Sequence, residues 1–207
     1  MALVKYNNNS ISAVTSASSI PSGALTHIKT LTASSSSTLS FVDGSSDVVL
    51  DSTYPIYKFE FINIHPSATS TFQFNMSTDG GSTYAVTKTT TAFRAFHTES
   101  DSGSGLGYVA GIDLAQSTAF QDLATDSSGT DNDSGISGTL QLFNPSSTTY
   151  VKHFMSNTNS VKTDSEAKNI YIAGYGNTTS SIDAVRFQMS SGNIDAGTIK
   201  LYGIKDS

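Results

Sequence analysis

The segment IYKFEFINI, residues 56–64, decides the fold, because it begins with a strict alternation of large apolar and polar side chains. Tyr57, Phe59 and Phe61 occupy every second position, with a lysine and a glutamate between them. Successive side chains of a β-strand point to opposite faces of the sheet. The pattern therefore predicts a strand with one face in the core and the other toward solvent.

A second alternating segment, FQFNM at residues 72–76, runs directly into STDGG at residues 77–81. Asp-Gly-Gly supplies the positive-φ positions that tight β-turns require. We therefore expect a hairpin here, with Tyr84 to Thr91 as the returning strand.

Short strand signals recur along the rest of the chain between turns rich in serine and glycine, and give nine or ten strands in all. No convincing amphipathic helix lies between them, so we predict an all-β fold, an antiparallel β-sandwich, and specifically a jelly-roll-like one. The further predicted strands are His27–Thr32, Thr38–Val42, Gly138–Phe143, Tyr150–Ser156, Asn169–Gly174, Ala184–Met189 and Thr198–Ile204.

The domain organisation follows from the contrast between the start of the chain and the remainder. Residues 1–25 are rich in Asn, Ser and Ala and show no sustained apolar period, so we interpret them as an extended N-terminal arm. Such an arm is either a frayed terminus or a segment that docks on a neighbouring subunit. Residues 26–207 are expected to form a single sandwich domain.

Composition excludes several classes of function. The net charge of −6 disfavours binding to a phosphate backbone, so nucleic acid is not an expected partner. The chain has no cysteine, which excludes disulfides, thiolate chemistry and Cys-ligated zinc. No apolar stretch reaches the length of a membrane span or a signal peptide, so we expect synthesis in a cytoplasm and no membrane insertion.

The region 99–138 is expected to form long exposed connections. Gly103, Gly105 and Gly107 follow no buried strand and precede no helix, so they are interpreted as a flexible loop and not as a phosphate loop. The run DSSGTDND, residues 126–133, concentrates oxygen ligands of the kind that calcium prefers. Its carboxylates Asp126, Asp131 and Asp133 are the candidate calcium ligands, although the ligand order of an EF-hand is missing.

Catalytic chemistry finds little support in the sequence. The four histidines stand far apart, and the nucleophile-elbow pattern G-x-S-x-G is absent. Glycoside hydrolysis would need paired carboxylates, and the only glutamates are Glu60, Glu99 and Glu166. Glu99 with Asp101 is the one pair close in sequence. We expect no enzyme, no catalytic residue and no cofactor.

Aromatic side chains offer the candidates for recognition. Tyr108, Tyr171 and Tyr175 lie near glycines and can present their rings to a sugar or to a partner protein, whereas packing within the fold is the more frequent role of tyrosine.

The chain resembles small virion proteins of tailed bacteriophages, particularly marine, cyanophage-like ones, over about residues 26–205. The most specific part is the C-terminal ending GTIKLYGIK, residues 197–205. The other segments that carry the resemblance are Phe41-Val42, Tyr54–Ile64, Met76–Tyr84, Leu142–Ser147, Ile182–Phe187 and Met189–Ile194. The resemblance implies membership of the virion and a β-sandwich, and it transfers no catalytic residue.

Three functions are carried forward from these observations. The first is a non-enzymatic structural protein displayed on a phage particle, as capsid decoration, cement, or head or tail fibre, with other virion proteins as partners and a homo-oligomer, favoured as a trimer. The second is a carbohydrate-binding module of a tail fibre that recognises host surface glycans through its long loops. The third is a polysaccharide hydrolase.

Overall fold

The computed structural model describes residues 24–125, 128–162 and 165–205, and within these ranges the chain forms twelve strands and no helix. Nothing in this part of the chain is therefore a helix that could cross a membrane. The strands are β1 (Leu25–Thr32), β2 (Thr38–Val42), β3 (Ile56–Pro66), β4 (Phe72–Ser77), β5 (Lys88–Thr98), β6 (Ser104–Tyr108), β7 (Gln121–Asp122), β8 (Ile136–Phe143), β9 (Lys152–Lys162), β10 (Glu166–Gly176), β11 (Ala184–Met189) and β12 (Ile194–Ile204).

Two antiparallel sheets make up the fold. The large sheet has eight strands in the order β1-β12-β3-β8-β9-β10-β5-β6, and the small sheet has four in the order β2-β11-β4-β7. The predicted antiparallel β-sandwich is confirmed. The finer prediction of a jelly roll stays a prediction.

The core lies between the two sheets and is dominated by phenylalanine. Tyr57, Phe59 and Phe61 are buried as the alternation predicts, with exposures of at most 2%. Phe187 of the small sheet contacts both Phe59 and Phe61, at ring-centroid distances of 5.2 Å. Phe74 contacts Phe154 of β9 at 5.0 Å, so the core reaches past the middle of the large sheet.

Beyond β8, the inner face of the large sheet is covered by β7 at the edge of the small sheet and by the chain on either side of it. Thr90 donates a hydrogen bond to Gln121 at 2.8 Å, and Gln121 in turn donates to the carbonyl of Ile112 at 2.8 Å. Thr158 of β9 donates to the carbonyl of Leu123. Most of the inner face of β5, β9 and β10 is therefore packed, whereas Arg94 and Phe96 on the inner side of the second half of β5 are only half-buried.

The predicted hairpin between β4 and the segment from Tyr84 is wrong. Strand β4 pairs with β11 and β7, while β5 lies in the other sheet between β10 and β6. The turn chemistry itself is present, with Gly80 and Gly81 at φ 69° and 80°. After the turn, however, the chain crosses to the large sheet, and Asn75 secures the crossing by donating to the carbonyl of Tyr84 at 2.8 Å.

The interpretation of Gly105 and Gly107 as parts of a flexible loop is also wrong, whereas Gly103 lies in the turn before β6. Gly105 and Gly107 lie in β6, which pairs with β5 at the edge of the large sheet. A Cβ at Gly105 would lie 2.8 Å from the ring of Phe96, so glycine lets this ring cover the edge strand closely. The strand arises from this packing, which local composition does not reveal.

The division into an arm and a domain stays a prediction, since residues 1–23 lie outside the described residues. Strand β1 begins at Leu25, one residue before the predicted domain boundary.

A glycine in β12 is required by a bulge against β3. Gly197 has φ 114°, and a Cβ there would lie 2.5 Å from the carbonyl oxygen of Asn63 and 2.8 Å from the Cα of Ile64. Both obstacles are backbone, so the strands would have to separate. We expect Gly197→Ala to lower the free energy of unfolding by about 2–4 kcal/mol in urea denaturation.

The matched control for this prediction is Gly111→Ala, because nothing lies within 4 Å of the added methyl group and the backbone is not left-handed. Equal stability of the two variants would contradict the assigned bulge.

Candidate functional site

The outer face of the large sheet carries no Asp, Glu, Lys or Arg on five adjacent strands, β8, β9, β10, β5 and β6. We call this surface the uncharged face. Charged residues cover about a quarter to a third of an ordinary soluble surface. The outward-facing residues follow from register and burial and are Ser137, Thr139, Gln141, Phe143, His153, Met155, Asn157, Asn159, Val161, Ala167, Asn169, Tyr171, Ala173, Tyr175, Thr89, Thr91, Phe93, Ala95, His97, Ser104, Leu106 and Tyr108.

A row of aromatic rings crosses this face. Phe93 on β5 lies directly opposite Tyr108 on β6 and Tyr171 on β10. The rings of Phe93 and Tyr171 stack at a centroid distance of 4.9 Å and an interplanar angle of 10°. With Leu106 and Met155, these three residues are five of the eight large apolar side chains exposed in the described part of the chain. An apolar cluster of this kind marks an interaction surface.

A small pocket lies beside the aromatic row. It has a volume of about 160 Å³ and is lined on the outer face by Thr91, Phe93, Met155, Tyr171 and Ala173. Its walls are almost entirely apolar, and it has the size of a single aliphatic side chain. The face therefore has a defined apolar pocket in addition to its exposed apolar side chains.

Several polar groups of the face are hydrogen-bonded within the protein. Asn169 donates to the side-chain oxygen of Asn157 at 2.7 Å, and Asn159 donates to the carbonyl of Lys168 at 3.0 Å. Tyr108 donates its hydroxyl to Asp113 at the rim, and this hydrogen bond raises the pKa of Tyr108. Because these partners belong to the protein itself, covering the face would leave these hydrogen bonds in place.

The remaining strands of the large sheet have a different outer face. There Lys58 and Glu60 form an ion pair of 2.7 Å, half-exposed as the alternation predicts, and Lys200 lies opposite Glu60 on β12. The boundary between a charged and an uncharged area thus runs between β3 and β8.

All three tyrosines proposed from the sequence lie on the uncharged face. Tyr108 and Tyr171 belong to the aromatic row, and Tyr175 lies four residues further along β10, with its ring 6.2 Å from that of His153. Sequence reasoning missed Phe93, Leu106 and Met155. The available signal was the odd spacing of Phe93 and Phe96, which places them on opposite faces of one strand.

The candidate calcium ligands are only partly described, because Asp126 lies outside the described residues. Asp131 and Asp133 are exposed, and the carbonyl of Asp131 lies 3.1 Å from Nε2 of His65. Asp133 and Asp195 line a polar groove of about 540 Å³ with His65. Among the described residues, no three His, Asp or Glu side chains are arranged to hold a metal ion.

The acids considered for hydrolysis are spread over the molecule. Glu99 and Asp101 lie exposed in the turn between β5 and β6, where Asp101 contacts His97 at 3.1 Å. Glu166 is buried on the inner face of β10, where its carboxylate forms an ion pair of 3.0 Å with Lys168.

No protein-family model matches the chain, and neither the curated proteins nor the solved structures contain a match.

Proposed function

We propose that the chain is a non-enzymatic structural protein of a tailed-phage particle, displayed on the particle surface, with the uncharged face as its assembly surface. The observation that carries the proposal is the absence of charged side chains from the outer face of five adjacent strands in a protein with net charge −6. Interface cores are depleted of charge and enriched in aromatic residues and methionine. The sequence resemblance to virion proteins supplies the context of a particle.

The order of the strands supports the same proposal. We infer a jelly roll, because the strands β1-β12-β3-β8 of one sheet face β2-β11-β4-β7 of the other. In both sheets a strand from the start of the chain pairs with one from its end, β1 with β12 and β2 with β11. In this description β5-β6 and β9-β10 are two hairpins inserted into the roll, and both extend the large sheet. Jelly rolls recur in viral capsid and lectin domains, an argument from analogy of fold.

A carbohydrate-binding function finds less support on this face. A ring that stacks on a sugar presents a free flat side to the ligand, and the stacking of Phe93 on Tyr171 takes up one of the two flat sides of each ring. The face is suited to a partner that packs over ring edges and fills the pocket, as another protein does.

The proposal predicts that particles lose the protein when the aromatic row is removed. Phage particles would be prepared from host cells that supply either the tagged wild-type chain or the double variant Phe93→Ser/Tyr171→Ser, and the bound tag would be quantified after purification. We expect at least a tenfold loss, because the variant removes the central rings of the face.

The control is Tyr150→Ser, which removes a ring that is 70% exposed and lies off the face, before β9. Undiminished incorporation of the double variant, or absence of the wild-type chain from the particles, would overturn the proposal.

A further inference from the structure

We infer that a second copy of this chain covers the uncharged face, in a two-fold, face-to-face dimer that places Leu106 of each copy in the apolar pocket of the other. This inference rests on the proposed function in taking the same face as the assembly surface, and it names the partner.

The first support is the amount of apolar surface. Five side chains of the face expose between 41% and 76% of their surface, namely Phe93, Leu106, Tyr108, Met155 and Tyr171. With about 200 Å² for each large side chain, they present roughly 500 Å². Two copies would bury roughly 1,000 Å² from these residues alone, and the asparagines and threonines around them add to that figure. Specific interfaces begin near this size.

The second support is self-complementarity. Leu106 is the most exposed large apolar side chain of the described residues, at 76%, and projects from the edge strand β6. The pocket opens on the same face, between β5, β9 and β10. A two-fold axis lying in the interface exchanges the two features, so that both Leu106 side chains enter pockets at once. Phe93 lies between them and would be near the axis.

The third support is electrostatic. Two copies of a chain with net charge −6 repel each other at long range, and like charges in contact cost several kcal/mol. The strands of the uncharged face present no Asp, Glu, Lys or Arg side chain to a second copy, and the carboxylate of Asp113, which accepts a hydrogen bond from Tyr108, lies at the rim. The charged strands β3 and β12 remain at the periphery.

The test uses sedimentation velocity of the full chain and a pair of complementary variants. Leu106→Lys puts a charge on the projecting side chain, and Ala173→Glu puts the opposite charge into the wall of the pocket. In a mixed dimer one contact is wild-type and the other is a Lys-Glu pair, whereas each variant alone has two mismatched contacts.

We expect the wild-type chain and Tyr150→Ser to sediment at twice the chain mass of 21.7 kDa at micromolar concentration. Each single variant should dissociate at least tenfold more readily, and an equimolar mixture should recover dimer. Circular dichroism would establish that the variants are folded.

Several results would overturn the inference: a monomeric wild-type chain, a trimer, or a mixture that dimerises no better than the single variants. A monomer whose Phe93→Ser/Tyr171→Ser variant still fails to enter particles would leave the proposed function standing, with a different virion protein as the partner. A monomer that binds host polysaccharide through Phe93 would refute both.

Discussion

Replacing Phe187 by alanine is expected to lower the free energy of unfolding by about 4 kcal/mol, the largest loss from any single truncation in the core. Its ring is fully buried and lies within 6.4 Å of five other rings. These belong to both sheets and are Phe41, Phe59, Phe61, Phe72 and Phe74. Their backbones are fixed by strand pairing, so the cavity cannot close by a local shift. In a chain of this size the loss corresponds to roughly 10 °C in Tm.

The control for this prediction is Tyr150→Ala, where a largely exposed ring of similar size is removed and the change should stay within about 0.5 kcal/mol. A loss below about 1 kcal/mol for Phe187→Ala would mean that the two sheets do not pack as described.

The second large effect concerns a buried lysine. Lys88 is fully buried on the inner face of β5, and its Nζ donates to Asn75 Oδ1 at 2.6 Å and to the carbonyl of Val86 at 2.9 Å. Burial lowers the pKa of Lys88 from 10.5 to about 7. Below pH 7 the folded protein must therefore hold an ammonium group that burial disfavours.

The sign of the pH dependence follows from the protons bound. Between pH 7 and pH 10.5 the unfolded lysine carries a proton that the folded one has released, so wild-type stability rises with pH across this window. Lys88→Met removes the penalty. At pH 6 we expect the variant to be more stable than the wild type by about 1–4 kcal/mol, and this advantage should shrink steadily up to pH 10.5.

Urea denaturation at pH 6, 8 and 10 measures this difference. Asn75 Oδ1 keeps a hydrogen bond from the amide of Met76 at 2.8 Å, so the substitution leaves no orphaned acceptor there. Lys200→Met on the outer face serves as the control and should change stability by less than about 0.5 kcal/mol at pH 6. A variant that is less stable than wild type at pH 6 would show that the ammonium group stabilises the fold.

The sequence predicts the strands of the core well, because their side chains are sorted by burial. The bounds of β2 and β11 match the predicted Thr38–Val42 and Ala184–Met189 to the residue. Both strands have one face in the core and the other face half-buried, so apolar and polar residues alternate along them with a period of two. Strand β3 is predicted for the same reason, and extends only two residues further.

Strand partners could not be predicted in the same way, since they depend on contacts distant in sequence. The turn after β4 has hairpin chemistry, yet the chain that follows is directed to the other sheet by Asn75, which binds both Tyr84 and Thr118 through backbone carbonyls. Strand β6 has no local signal at all, because it is a strand only through its pairing with β5.

Only part of the candidate site could be predicted from the sequence, because its residues come together through strand pairing. Tyr108, Tyr171 and Tyr175 stand out as tyrosines beside glycines, but only the register shows that they share one face with Phe93 and Met155. The sequence also does not show that the outer face lacks charged residues, because Lys152, Glu166 and Lys168 occur within the same strands. Their side chains point inward and are buried, which is unusual for charged residues.

The most direct test of the uncharged face as the assembly surface is an electron cryomicroscopy map of the phage particle at side-chain resolution. If the uncharged face is the assembly surface, the map should show density for this chain on the particle, with Phe93 and Tyr171 covered by a neighbouring protein chain and the Lys58–Glu60 side of the sheet less covered. A map in which the chain is present and Phe93 and Tyr171 face solvent in every copy would contradict it.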